Sequence, residues 1–346
     1  SVVIQALCEG LGLSLPLIQK IEFGILLGFL FFGTFFLGKV FFRSPHAGYF
    51  AVLGVYSAEL KFHFHISHEL FYSWAVTPFL VALMVLLIEK ADESGRIPLR
   101  TVVGFSVCTL FIAPGAVNPP LFLAAILFGA ILTAVKLLNS SNKIPVLLSI
   151  TTTLALSLAA HSFWIIPAFY SLADFVGSLQ YDNVGWVRSQ SAVNSFPAVL
   201  LRLRLDIGNY GFSVREMGVV GSALLGFGAM IAIGGYAFVR KIAILNFLFA
   251  MFLIFVFLGK GAGGPMGFLY LDMFEIFPLF EWFRTPYDKF SLPQTFIFSL
   301  FIGYGMSHIL GWIKDRPLAE QGIVLCFILA LTLSVDKAFE NPSLFA

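Results

Sequence analysis

Long apolar runs separated by short polar stretches make up most of the chain. They lie at Leu17–Phe42, Ala47–Leu60, Leu70–Ile88, Thr101–Ala113, Pro120–Leu138, Ile144–Leu172, Met217–Phe238, Ile242–Leu258, Ser291–Ile313 and Gly322–Val335. A bilayer crossing takes roughly 20 apolar residues, so about ten such segments fit the length. Each run reads as a helix, because a lone strand in lipid leaves its backbone groups unpaired. The alternation of polar and apolar positions that marks a membrane barrel is absent. Ala47–Leu60 and Thr101–Ala113 are short for an untilted crossing and are expected to be re-entrant or packed inside the bundle. The pattern predicts an all-α, polytopic transmembrane helix bundle over residues 1–346, a single domain with no internal repeat.

The charges divide the polar stretches into two sets. Alternate short loops hold Arg43; Lys90, Arg96 and Arg100; Lys136 and Lys143; Arg240 and Lys241; Lys314 and Arg316. The short loops between them hold Lys61 alone. Basic short loops stay on the cytoplasmic side, so this alternation predicts an orientation. Two long connections, 173–216 and 259–290, then face outward, as do both chain ends. The predicted location is the plasma membrane.

Composition agrees. Hydrophobic residues are 59% and charged residues 12%, and mean hydropathy is +0.92. A soluble domain carries roughly 25% charged residues to cover its outside. The net charge of +2 points to no nucleic acid partner. Cys8, Cys108 and Cys326 each stand alone in an apolar run and read as small buried hydrophobes. The chain opens at Ser1 with no charged n-region ahead of a cleavable core, which predicts a segment of a longer chain.

Candidate chemistry gathers in the polar stretches. The glycine-rich turn Gly259–Pro265 precedes an apolar segment with Asp272 and Glu275, and then Arg284 and Lys289 just ahead of a span. Two cations at headgroup depth suit a phosphate group, or anchor the chain by snorkelling to lipid phosphates. The turn lacks the spacing of a nucleotide-binding loop. The other long connection carries Asp174, Asp182, Trp186, Arg188, Asn194, Arg202, Arg204 and Asp206. Aromatic, amide and guanidinium groups interleaved in this way suit a sugar, or a solvated loop with belt aromatics. His63, His65, His68 and Glu69 could ligate a metal, but no regular conformation aims all four at one point. Among the acids, Glu69, Asp272 and Asp288 are candidate bases. Glu22, one turn inside the first run and close to Lys20, is expected to snorkel.

Several of these features occur in one order: Leu15-Pro16 then Gln19-Lys20; His68-Glu69 and Pro78; Trp164–Pro167 leading to Trp186, Ser189, Asn194 and Arg202; Gly259–Pro265; and Phe283–Phe290 before a span. This order resembles the C-superfamily (GT-C) membrane glycosyltransferases, in particular their arabinofuranosyltransferase-like branch. The resemblance implies transfer of a sugar from a polyprenyl-phosphate donor to a glycan, lipid or protein acceptor of the cell envelope. It implies that Arg284 and Lys289 hold the carrier phosphate. Trp186, Arg188, Asn194 and Arg202 would line the sugar or acceptor pocket. A divalent metal ion is the one cofactor such chemistry could use. In that superfamily the catalytic carboxylate follows the first span, which places the matching loop upstream of Ser1. Two other classes stay open: a lipid or glycolipid transporter, which short and interrupted spans suit, and a non-catalytic scaffold subunit, which suits a chain without an assignable base.

Overall fold

The computed structural model describes residues 14–59, 68–178, 183–192 and 243–313, with Gly12, Val199, Leu318 and Gly322 besides. The runs Met217–Phe238 and, Gly322 apart, Gly322–Val335 lie outside the described residues. Helix is the regular structure of the described residues, with no strand among them. Six of the described helices are long and apolar enough to cross a membrane: Leu17–Phe42, Phe71–Ser94, Leu99–Ala116, Pro119–Leu138, Lys143–Pro167 and Ala243–Lys260. The chain divides into two compact units.

Unit 1 contains α1 (Leu15–Phe42, up to Phe41), α3 (His68–Ser94), α4 (Leu99–Thr109), α5 (Pro119–Leu138) and α6 (Lys143–Ser178). The helix α3 is its centre. Its apolar window is 83% buried, against 28–39% for the windows of its four neighbours. Gly33 of α1 sits against the backbone of Phe79, where an added Cβ would lie 2.8 Å from the amide nitrogen. Helices in lipid gain little from apolar burial, so such close approach is what holds them. A second seam joins α4 to α6 through hydroxyls. Ser106 Oγ donates to the Thr153 carbonyl at 3.4 Å, and Ser157 Oγ to Ser106 Oγ at 3.4 Å.

The run predicted over Thr101–Ala113 is two elements. After Thr109 the α4 helix tightens into a 3-10 segment, Leu110–Val117, containing Pro114. Proline removes an N–H and crowds the preceding turn, which ends regular α geometry. Asn118 then restarts the chain, its side chain accepting from the Leu121 amide at 3.2 Å, with Pro119 and Pro120 in the first turn of α5. Glu22 does not snorkel. It is buried and accepts a hydrogen bond from the Tyr72 hydroxyl on α3, which satisfies the carboxylate inside the unit.

Side-chain contacts fix which helix ends of unit 1 share a side. Lys136 near the end of α5 pairs with Glu89 near the end of α3 at 3.0 Å. The Asn142 amide before α6 donates to Asp92 Oδ1 at 2.6 Å, and Lys90 donates to Thr101 of α4 at 3.3 Å. The basic loops 94–99 and 138–143 therefore meet at one end, as the charge alternation requires.

Unit 2 contains α2 (Pro45–Glu59), α7 (Asn183–Ser191), α8 (Ala243–Lys260), α9 (Gly267–Ile276), a 3-10 segment (Pro278–Phe283) and α10 (Pro286–Ile313). Residues 289–303 of α10 are buried without exception. Protein rather than lipid surrounds this stretch, so it accommodates Ser291, Gln294, Thr295 and Ser299. The two predicted outward loops are partly helical, since α7 falls in 173–216 and α9 in 259–290. The helix α2 runs antiparallel to α10: Gly54 faces Ser299 and Ala47 faces Gly303. Gln294 Nε2 donates to the Phe255 carbonyl at 2.7 Å, joining the last turns of α8 to the first turns of α10. The C-terminal ends of α2 and α8 thus lie at the end of unit 2 where α10 begins.

Candidate functional site

The site builds on the turn that ends α8. Gly261 takes a left-handed conformation, φ +59°, which an L side chain adopts only at a cost. Space imposes the same choice, because a Cβ there would lie 2.4 Å from Ser191 Oγ and 2.5 Å from Pro286 Cγ. The turn is therefore wedged between the end of α7 and the start of α10. Ser191 Oγ also accepts from the Ala262 amide at 3.0 Å. Ser191→Ala is expected to leave that amide without its partner. The loss is about 1 kcal/mol, and faster hydrogen exchange at Ala262 would report it.

Lys260 supports the turn from within. Its side chain is fully buried. Nζ donates to the carbonyls of Gly261 at 3.3 Å and Gly263 at 2.8 Å, and stands 4.3 Å from the Phe257 ring centroid. Its role is local, and the flanking Gly259 and Gly261 are the only sequence signal that marks it.

Beyond the turn, α9 packs through Gly267, Tyr270 and Phe274. The buried Tyr270 hydroxyl donates to the Phe283 carbonyl at 2.7 Å, and burial raises its pKa above the usual tyrosine range. Rings then follow in contact: Tyr270 on Phe280 at 5.0 Å, Phe280 on Phe283 at 5.5 Å, and Phe283 stacked on Phe290 at 4.9 Å. This packing holds the short segment that carries the two predicted phosphate ligands.

Arg284 follows the 3-10 segment and is half-buried. Lys289 lies one turn into α10, ahead of its buried polar stretch, and is only 8% exposed. Among the described residues Lys289 has no hydrogen-bond or ion-pair partner. Burial lowers its pKa below the usual lysine value. The neighbouring Asp288 opposes that shift and the Arg284 guanidinium adds to it. The two cations therefore lie within electrostatic reach of each other and repel. Such an arrangement is relieved by an anion.

The remaining predicted residues are placed as follows. Trp186 and Arg188 are exposed on α7, the helix whose last residue docks on the turn. The structure thus brings parts of both predicted outward loops to one end of unit 2. Asp272 and Glu275 are exposed on α9, and Asp288 and Glu281 are exposed nearby in sequence. No hydrogen bond or ion pair joins Asp272 to the Arg284–Lys289 segment among the described residues. His65, Asn194, Arg202, Asp182 and Asp206 lie outside the described residues, as do the side chains of His68, Glu69 and Asp174. Among the described residues no three His, Cys, Asp or Glu side chains are grouped as metal ligands.

The chain matches no protein-family model, no curated protein and no solved structure. What the fold defines is a class: an all-helical protein of membrane type, with two helical units and a cationic corner at one end of the second.

Proposed function

We propose that the chain is an integral membrane glycosyltransferase of the GT-C kind. It takes a sugar from a polyprenyl-phosphate donor and transfers it to a glycan, lipid or protein acceptor on the outer face of the plasma membrane. The observation that carries this reading is Lys289, an ammonium buried without a hydrogen-bond partner among the described residues and within reach of Arg284. A lipid-linked phosphate would add counter-charge to that of Asp288 and offset the repulsion from Arg284. Trp186 and Arg188 belong to the helix that docks on the adjoining turn, which suits a role beside the sugar or acceptor. The shared end of α2, α7, α8 and α10 supports placing parts of both polar loops on one side.

In the chemistry proposed, an acceptor hydroxyl attacks the anomeric carbon and loses its proton to a carboxylate. The anomeric carbon–oxygen bond breaks, and the phosphate leaves with its charge offset by Arg284 and Lys289. Glu69, Asp272 and Asp288 are the carboxylates this chain offers. A transporter is the second reading, favoured by the 3-10 break at Leu110–Val117 inside an otherwise apolar crossing.

The test is sugar transfer by the purified protein across a panel of polyprenyl-phosphate donors, with Arg284→Ala beside the wild type. Transfer that disappears in a folded Arg284→Ala protein supports the reading. Absence of transfer by the wild type with every donor, together with donor movement between leaflets of a vesicle, selects the transporter.

A further inference from the structure

Unit 1 has a charged end that the proposed reaction does not use. Its contacts collect the ends of five helices. Lys136 of α5 pairs with Glu89 of α3 at 3.0 Å and stands 5.3 Å from the Phe41 ring centroid at the end of α1. Asn142 before α6 is held by Asp92, with Nδ2 donating to its carbonyl and the amide to its carboxylate, each at 2.6 Å. Lys90 reaches Thr101 at the start of α4.

These contacts use two of the three carboxylates present there. Lys39, Arg96, Arg100 and Lys143 are exposed, and none makes an ion pair with a described residue. Glu93 is the carboxylate left over, and it too is exposed. This end therefore presents a surplus of unneutralised cations.

The same two helices that carry Arg100 and Lys143 turn apolar side chains outward within one or two turns of them. On α4 these are Leu99, Val103 and Val107; on α6 they are Ile144, Leu147 and Leu148, all exposed. The α4–α6 seam at Ser106, Thr153 and Ser157 keeps the two faces side by side. A cation band bordering an exposed apolar strip matches a molecule with an anionic head and hydrocarbon tails. A soluble polyanion would leave the strip uncovered. A neutral lipid would leave the cations without counter-charge.

We propose that this end of unit 1 is a binding site for anionic phospholipid. The headgroup phosphate lies among Arg96, Arg100 and Lys143, and the acyl chains run along the exposed faces of α4 and α6. Basic groups at helix ends attract anionic headgroups by about fivefold in affinity per cation near the surface. The inference rests on these helices crossing a bilayer, and is independent of the glycosyltransferase reading.

The experiment is native mass spectrometry of the full chain, released from micelles doped equally with phosphatidylglycerol and phosphatidylcholine. The wild type is expected to retain phosphatidylglycerol at least tenfold over phosphatidylcholine. Arg96→Gln, Arg100→Gln and Lys143→Gln together are expected to bring the two lipids near parity, with the thermal midpoint unchanged because all three side chains are exposed. Each single substitution is expected to lower the preference about fivefold, so the test holds even if the triple variant folds poorly. Equal retention of both lipids by the wild type overturns the site and leaves the membrane reading intact. So does an undiminished preference in the folded single variants. Retention of neither lipid overturns the site.

Discussion

Lys289→Met is expected to stabilise the folded protein and to weaken donor binding at the same time. The ammonium is buried, has no hydrogen-bond partner among the described residues and is repelled by Arg284. Methionine keeps most of the side-chain volume and removes the buried charge. Replacing buried charge by a well-packed apolar group gains roughly 1–3 kcal/mol. The gain has a pH signature. The folded-state pKa of Lys289 is lowered, chiefly by burial, so between that lowered value and the ordinary lysine value the unfolded chain binds the extra proton. Wild-type stability must then rise with pH across that window. The charge penalty is present in full below the folded pKa, fades across that window and is gone above the ordinary value. In Lys289→Met this component of the slope is gone, and the difference between the two proteins narrows as pH climbs. Thermal unfolding in detergent from neutral to alkaline pH measures both. A less stable Lys289→Met protein with an unchanged slope would show that Asp288 fully offsets the buried charge in the folded state.

Binding should move the other way. A charge-assisted contact to phosphate contributes roughly 1.5–3 kcal/mol, so polyprenyl-phosphate affinity should fall about ten- to a hundredfold. A residue that costs stability and supports binding is the pattern expected of a functional group rather than a packing one. Loss of stability and unchanged affinity together would remove Lys289 from the site.

Much of this architecture was legible because lipid imposes a local rule. Any stretch that crosses must satisfy its own backbone and present apolar side chains, so the predicted runs Leu17–Phe42, Pro120–Leu138 and Ile242–Leu258 match α1, α5 and α8 to within a turn at either end. The alternation of basic loops was equally local, and the Lys136–Glu89 and Asn142–Asp92 contacts place two of those loops at one end of unit 1. What escaped the sequence depends on neighbours far away along the chain. Glu22 looked like a snorkelling acid until α3 supplied Tyr72, fifty residues on. Ser191 gave no sign that it would meet Ala262, 71 residues away. The Leu110–Val117 segment carries Pro114, a local warning, but Gly115 lies against Ser73, where a Cβ would come within 2.2 Å of the hydroxyl. The candidate site was half legible. The clustering of Arg284 and Lys289 was visible in spacing, whereas the burial of Lys289 and the exposure of Asp272 required the packed helices.

Glycine-to-alanine exchanges on α10 should change stability with opposite sign at two positions. In a helix that exchange ordinarily stabilises by up to about 1 kcal/mol, because alanine loses less backbone freedom on folding. Gly311 meets nothing within 4 Å of an added Cβ, so Gly311→Ala should show that gain. Gly303 faces α2, and its Cβ would lie 2.4 Å from the Ala47 carbonyl oxygen and 3.2 Å from the Ala51 Cβ. The obstacle is backbone, so no rotamer change relieves it, and the helices must separate. Ala47 and Ala51 are completely buried, and one turn away Gly54 would carry a Cβ only 2.8 Å from the Ser299 Cα. Small residues thus line both sides of the crossing, and the attraction between these helices comes from that closeness. Overpacking costs about 1–3 kcal/mol, which outweighs the propensity gain, so Gly303→Ala should destabilise unit 2. Because α10 also carries Lys289 and packs on α8, the separation should lower phosphate affinity along with the thermal midpoint. Equal stabilisation by both exchanges would mean that α2 does not approach α10 at Gly303.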